Sequence, residues 1–377
     1  MRQVVMSVLL GTGLAVLGQG QTSPHAIAQS QDVPQYRISF ERKEPVAGID
    51  APPAFKLPFE CTTDGTAFIT MMPVGGVTQP PLYAPPPLLL VSISLSGQAH
   101  TFPIDQPTER LYNTREIDHY ASDSAVVFLV EAASENKPIK RTYTKSDGTS
   151  GEYSYNSAER HMFLFFFDRD GKHKSTSELD IGFRALHIGV FPSGTLLAFG
   201  YDPKNHSTRL AMVKEDGTLL RSLQIGKGDA PESMFGTENA SGKGPAGYIE
   251  PAEFVPIGHS ITLVQNKSAF PLLEVSEGGA IRALHPQLPK GVTLNSVIVS
   301  DHNLFGQVTG GEQDSIYEID PQSGAVTRRF ELEDGEIPAS IACIHDGKFL
   351  SFDHGEGKLV PLVGTAELSR STAFAPR

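Results

Sequence analysis

The chain has 377 residues, with 31 basic and 43 acidic side chains, so its formal charge near neutral pH is −12. An acidic balance excludes a general affinity for nucleic acid or for an anionic membrane surface. With 36 glycines, 28 prolines, no tryptophan and no sustained helical period, this is a turn-rich all-β composition, and its two cysteines are too few for a disulfide scaffold.

In chain order, residues 1–28 read as an export signal. Arg2 is followed by the apolar run VVMSVLLGTGLAVLG (4–18) and by HAIA, with small residues at Ala26 and Ala28 for cleavage. The run is short for a membrane span. The expectation is a single domain over 29–377, periplasmic or secreted, not inserted in a membrane after cleavage, and monomeric. The next strand, QYRISFERK (35–43), has no hairpin partner of its own.

Six units follow, each opening on two β-rich runs about a tight turn: FECTTDGTAFITM (59–71), DHYASDSAVVFLVEA (118–132), IGVFPSGTLLAFGY (188–201), EFVPIGHSITLVQ (253–265), SVIVSDHNLFGQV (296–308) and SIACIHDGKFLSF (340–352). Each of the first five continues into a second hairpin, as in FLFFFDRDGKHK and AMVKEDGTLLRSL, with the Asp-Gly and Ser-Gly turns that hairpins prefer. Four strands per unit at roughly 40 to 50 residues is the pattern of propeller blades. The count is six, or seven if 133–160 conceals a degenerate blade. The last unit is short, and QYRISFERK is expected to complete it from outside, closing the ring and removing exposed sheet edges.

The stretches FPSGTLLAFGYD, KEDGTLLRSL and IGKGDAPESMFG resemble the six-bladed propellers of the NHL-repeat and TolB-like group. The resemblance covers nearly the whole chain after the leader. It implies a fold and little chemistry, because that fold carries enzymes, receptors and scaffolds alike.

Blade topology sorts the loops onto two faces. The tight turns within hairpins lie on a plain face, and the long joints at 75–89, 133–160 and 225–250 all lie on the other. Binding residues concentrate on loops held by a rigid scaffold, so the elaborated face is the expected functional one. Its second insertion carries Tyr143, Tyr153 and Tyr155 beside Lys140, Arg141, Glu152 and Arg160. Tyrosine offers contact area and a hydroxyl at small entropic cost; the alternative is a solvated loop. Arg184, at the start of an inner strand on the same face, is a further ligand-binding candidate.

Counting back from each turn places polar residues where the inner strands begin: Glu116 and His119, Arg184 and His187, Glu250 and Glu253, Asn295, and Ser340. Glu250, Glu253 and Asn295 are the oxygen donors for a hard cation such as calcium, as the resemblance to lactonase-type propellers permits, with His119 or His187 as a general base. The alternative is a polar, water-filled channel. No GxSxG, HExxH, CxxC or Walker pattern is present.

Cys61 and Cys343 each lie four residues before the turn glycine of their unit, where other units carry Tyr120, Val190, Phe254 and Ile298. Equivalent side chains in a rotational repeat point in the same sense, and facing sheets lie about 10 Å apart, whereas a disulfide needs Cα atoms within about 7 Å. Two buried free thiols are expected. The leading functional expectation is a cofactor-free recognition module for a protein, peptide or glycan. The alternative is a calcium-dependent lactonase- or esterase-type hydrolase at the channel mouth.

Overall fold

The computed structural model describes residues 33–47, 60–71, 89–103, 111–202, 204, 207–224, 251–265, 272–290, 292–300, 303–309, 315–332, 341–353 and 358–369. These residues contain only β-strands and turns. Strand β1 (Gln35–Arg42) comes first, and the first sheet follows as β2 (Glu60–Cys61), β3 (Ala67–Met71), β4 (Leu89–Ile93) and β5 (Ala99–Pro103). Next come β6 (Tyr112–Ala121), β7 (Val126–Ala133), the hairpin β8 (Pro138–Thr144) and β9 (Ser150–Asn156), then β10 (His161–Phe167) and β11 (His173–Glu178). The second sheet has the order β11-β10-β7-β6, and β8-β9 is a separate two-stranded sheet between its second and third strands.

The third sheet is β12 (Arg184–Val190), β13 (Leu196–Asp202), β14 (Ser207–Val213) and β15 (Leu219–Leu223). The fourth is β16 (Pro251–Ile257), β17 (Ser260–Gln265), β18 (Leu272–Ser276) and β19 (Ile281–Leu284). The remaining strands are β20 (Thr293–Ser300), β21 (Asn303–Thr309), β22 (Ser315–Ile319), β23 (Val326–Leu332), β24 (Ile341–His345), β25 (Lys348–Asp353) and β26 (Val360–Leu368). They form one eight-stranded sheet with β1, in the order β20-β21-β22-β23-β1-β26-β25-β24.

That sheet is two four-strand groups joined at their outer edges. β1 pairs antiparallel with β26, Tyr36 opposite Leu368 through Arg42 opposite Leu362. It also pairs parallel with β23, Gln35 opposite Arg329 through Ile38 opposite Leu332. The unpartnered strand of the sequence therefore completes the last group from outside. The first strands of the sheets touch in cyclic order: β2 against β6, β6 against β12, β12 against β16, β16 against β20, β20 against β24, and β24 against β2. Antiparallel four-strand sheets set in chain order around a ring of inner strands make a β-propeller.

The core is a set of layers between neighbouring sheets, which explains the continuous apolar runs. In VVFLVEAA, Val126, Phe128, Val130 and Ala132 pack toward the first sheet with Phe68, while Val127 and Leu129 pack toward the third. In HMFLFFF, Phe163, Phe165 and Phe167 take the first side, and Leu164 and Phe166 take the second. A strand buried on both faces has no polar side to show. Gly189 lets the third and fourth sheets approach closely: a Cβ there would meet Ile261 at 2.7 Å and Phe254 at 3.1 Å.

Polar links stitch the plain face across these layers. Thr63 N donates to Asp123 Oδ1 at 3.0 Å, and Arg169 donates to Asp64 at 2.9 Å, both joining the first sheet to the second. Ser193 N donates to Glu277 Oε1 at 3.0 Å between the third and fourth. The Arg282 guanidinium donates to the carbonyls of Pro321 and Gln322 between the fourth and fifth.

The two cysteines correct the expectation of free thiols. Cys61 and Cys343 form a disulfide with Cα atoms 5.2 Å apart. Cys61 pairs with Ala67 at the last rung before its turn. Cys343 pairs with Leu350, two residues short of the end of its strand at His345, just after a register shift between Ile341 and Cys343. The residues are therefore not equivalent in the repeat, and they face one another. The spacing of about 10 Å between packed sheets also fails at the axis, where the inner strands β2 and β24 converge into contact.

Candidate functional site

The elaborated face is described best at residues 133–160, which form an ordered hairpin rather than an open loop. Its turn is set by Asp147, whose carboxylate accepts from Thr149 N at 2.9 Å and Thr149 Oγ1 at 2.6 Å; these bonds hold its pKa below the ordinary aspartate value. Gly148 takes the positive φ of 82° that the turn requires. The base is clamped by Asn156, whose Oδ1 accepts from Lys137 N at 2.8 Å and Ala158 N at 3.0 Å while its Nδ2 donates to Glu135 O at 2.8 Å.

The register decides what the hairpin displays. Ile139 pairs with Tyr155, Arg141 with Tyr153 and Tyr143 with Gly151, so alternation puts all six on one face. Lys140, Thr142, Glu152 and Ser154 occupy the other. Tyr143 and Tyr153 have ring centroids 6.0 Å apart, as do Tyr153 and Tyr155, and Arg141 sits 5.9 Å from the Tyr155 ring. Gly151 makes room for this: a Cβ there would meet the Tyr143 ring at 2.6 Å. Ile139, Tyr143 and Tyr153 are 39%, 43% and 46% exposed. The three tyrosines named from sequence are thus brought onto one face, with Tyr143 and Tyr153 exposed and Tyr155 half-buried.

Arg184 belongs to a different group. It lies 3.5 Å from Glu131 Oε1, and Arg160 lies 3.6 Å from Glu131 Oε2. Arg160 also donates to the Asn113 carbonyl at 2.8 Å. Glu131, near the end of β7, thus ties the start of the third sheet to the foot of the hairpin. Two guanidinium groups on one carboxylate leave a net positive charge there.

His119 and His187 stand on inner strands among aromatic rings. His119 is 3% exposed and lies 5.9 Å from the Phe128 ring. His187 lies 5.8 Å from Phe254 and 6.3 Å from Phe199. Sequence reasoning missed their neighbour Asp118, a buried carboxylate whose Oδ2 accepts from Ile188 N at 2.9 Å and lies 3.5 Å from His187 Nδ1. It couples the second and third sheets at the channel. The only sequence signal was an acid beside His119 on an apolar strand. The bulges at Glu116/Asp118 and Ala185/His187, which re-aim side chains, leave no mark in the sequence.

Glu250 and Ser340 lie outside the described residues, as do the side chains of Glu116, Glu253 and Asn295. So do the insertions at 75–88 and 225–250 and the leader at 1–28. Among the described residues, no cluster of three or more His, Cys, Asp or Glu is placed to hold a metal ion. No helix there is long and apolar enough to cross a membrane.

No family model matches the chain, and no curated protein matches it. Among solved structures it is similar to a putative exported protein from Bacteroides fragilis (9% identity, TM-score 0.45, covering 90% of this chain and 98% of that one). It is also similar to virginiamycin B lyase from Staphylococcus aureus (13%, 0.37, 87% and 99%) and to glutaminyl cyclase from Myxococcus xanthus (10%, 0.29, 90% and 100%). Such likenesses carry no argument about activity, and the propeller fold follows from the strand order and cyclic contacts of the chain itself.

Proposed function

We propose that the chain is an exported, six-bladed propeller of the NHL-repeat and TolB-like kind. It acts as a monomeric recognition module that takes a protein, peptide or glycan on the aromatic face of the β8–β9 hairpin. The observation that carries this reading is the row of Tyr143, Tyr153 and Tyr155 on an ordered hairpin, the first two exposed and the third half-buried beside them. Exposed aromatic residues with an arginine among them are the composition of binding hot spots. Ile139 and Arg141 on the same face favour a protein or peptide over a glycan. The positive group of Arg184, Arg160 and Glu131 lies at the hairpin foot, where it would receive a ligand carboxylate. Export is supported by the leader-like composition of 1–28 and by the Cys61–Cys343 disulfide, since such bonds persist in oxidising compartments.

The test is selection of ligands from a displayed peptide library and a glycan array, followed by titration of the selected ligands against Y143S/Y153S/Y155S. Losing three hot-spot rings should cost each ligand about tenfold or more in affinity. Selected ligands that bind the triple variant as tightly as the parent protein would place recognition elsewhere. The calcium-dependent hydrolase reading depends on Glu250, Glu253 and Asn295, and nothing in the described residues favours it over recognition.

A further inference from the structure

At the other end of the axis, on the plain face, the turns of five sheets surround a cavity of about 420 Å³. That lies within the range of roughly 300 to 1,000 Å³ typical of small-molecule sites. Cys61, Thr62 and Thr63 come from the first sheet, Tyr120 to Ser124 from the second, Val190 to Pro192 from the third, Gly258, Ser260 and Ile261 from the fourth, and Ser300 from the fifth.

Asp123 is the one charged side chain among these lining residues, and its carboxylate is occupied by Thr63 N and Thr63 Oγ1. Several hydroxyls are committed as well. Thr62 Oγ1 donates to Asp64 Oδ1 at 2.6 Å, and Ser122 Oγ donates to Ala125 O at 3.1 Å. Much of what is left for a visitor is apolar, with Pro192 exposed at the rim and Tyr120, Val190, Phe191 and Ile261 buried in the wall behind it.

These walls are not free to collapse. The Cys61–Cys343 bond holds the first sheet to the last, and Thr63–Asp123 holds the first turn to the second. A rigid, mainly apolar cavity forfeits dispersion contacts while empty and accepts apolar guests where its polar groups are already paired. An anionic guest would lose hydration there and face the Asp123 carboxylate.

We propose that this plain-face cavity is a binding site for a largely apolar small molecule that carries no negative charge. It stands at the opposite end of the axis from the β8–β9 hairpin and does not depend on the recognition reading.

The test is titration of the oxidised protein with 2-naphthol, and with 2-naphthoate as its anionic counterpart, by calorimetry and ligand-observed NMR. The expected result is saturable binding of the naphthol at one site and binding of the naphthoate weaker by about tenfold or more. S124W and P192W, two substitutions at exposed rim positions of different sheets, should each abolish naphthol binding. Y143S/Y153S/Y155S should leave it intact. Absence of saturable naphthol binding, equal binding of the two compounds, or undiminished binding by a rim variant that keeps the parent melting temperature would each overturn the proposal. The comparison of neutral and anionic probes needs no variant, so it decides the matter even where a rim substitution fails to fold.

Discussion

Asp64 shows how one carboxylate serves the junction between two sheets. Burial raises its pKa, but hydrogen bonds from Arg169, Thr62 and Thr66 outweigh that and hold it well below the ordinary carboxylate range. Arg169 also lies over the Phe68 ring at 5.3 Å, so the pair caps the apolar layer beneath it. Because the folded value is lowered, the stabilisation is complete above the unfolded aspartate value of about 3.9. It is lost as the pH falls below that value toward the folded one. The Asp64 side chain is 53% exposed, so solvent screening limits the pair to about 1 kcal/mol. D64N should therefore melt below the parent protein at neutral pH, with the gap narrowing as the pH is lowered beneath about 4. A gap independent of pH would assign the effect to something other than this charge. Asp118 works differently: buried, it accepts from a backbone N–H of the next sheet, and a donor left unpaired there would cost about 1 to 3 kcal/mol.

At the scale of elements, the inner strands and the hairpin illustrate opposite uses of β structure. Register shifts occur in β6, β12, β16, β20 and β24. A strand lining a channel must bend, and a bulge supplies both bend and local twist. The β8–β9 hairpin takes no part in that layer. Every residue of β8 is exposed, and Ser157 N donates to Lys137 O at 2.9 Å, so its two ends already meet. Replacing 138–156 with a two-glycine link should change stability by less than about 1 kcal/mol, as surface changes do, while removing ligand binding. Thermal unfolding and the peptide titration check the two halves separately. A large loss of stability would make the hairpin a structural element and remove the ground for recognition.

For the whole molecule the question is how a ring made from an open chain stays shut. Two devices act on the last sheet. β1 fills the gap between β23 and β26, so strands distant in sequence cover edges that would otherwise invite aggregation. The disulfide joins residues 282 positions apart on the inner strands β2 and β24. One lock sits at the rim and the other at the axis. Closing so long a loop stabilises the fold by about 5.6 kcal/mol at most in chain-entropy terms. C61A/C343A should lower the melting temperature relative to the oxidised parent, and dithiothreitol should lower the parent's but not the variant's. An unchanged midpoint in both would mean that the β1 pairing alone closes the ring.

The sequence by itself determined the strands of the four-strand sheets, the turns between them and the closing role of QYRISFERK, but read the β8–β9 hairpin as a loop. Those features depend on local patterns: β-favouring runs, Asp-Gly and Ser-Gly turns, and an edge strand with no neighbour. It also named Tyr143, Tyr153 and Tyr155, but their common face depended on a register pairing Arg141 with Tyr153 and Tyr143 with Gly151. The disulfide, the coupling of Asp118 to Ile188, and the plain-face cavity were decided only in three dimensions. Each depends on how inner strands from different sheets meet at the axis. There, one extra residue in a strand turns a side chain toward or away from its neighbour, and no spacing along the chain records which way it turns.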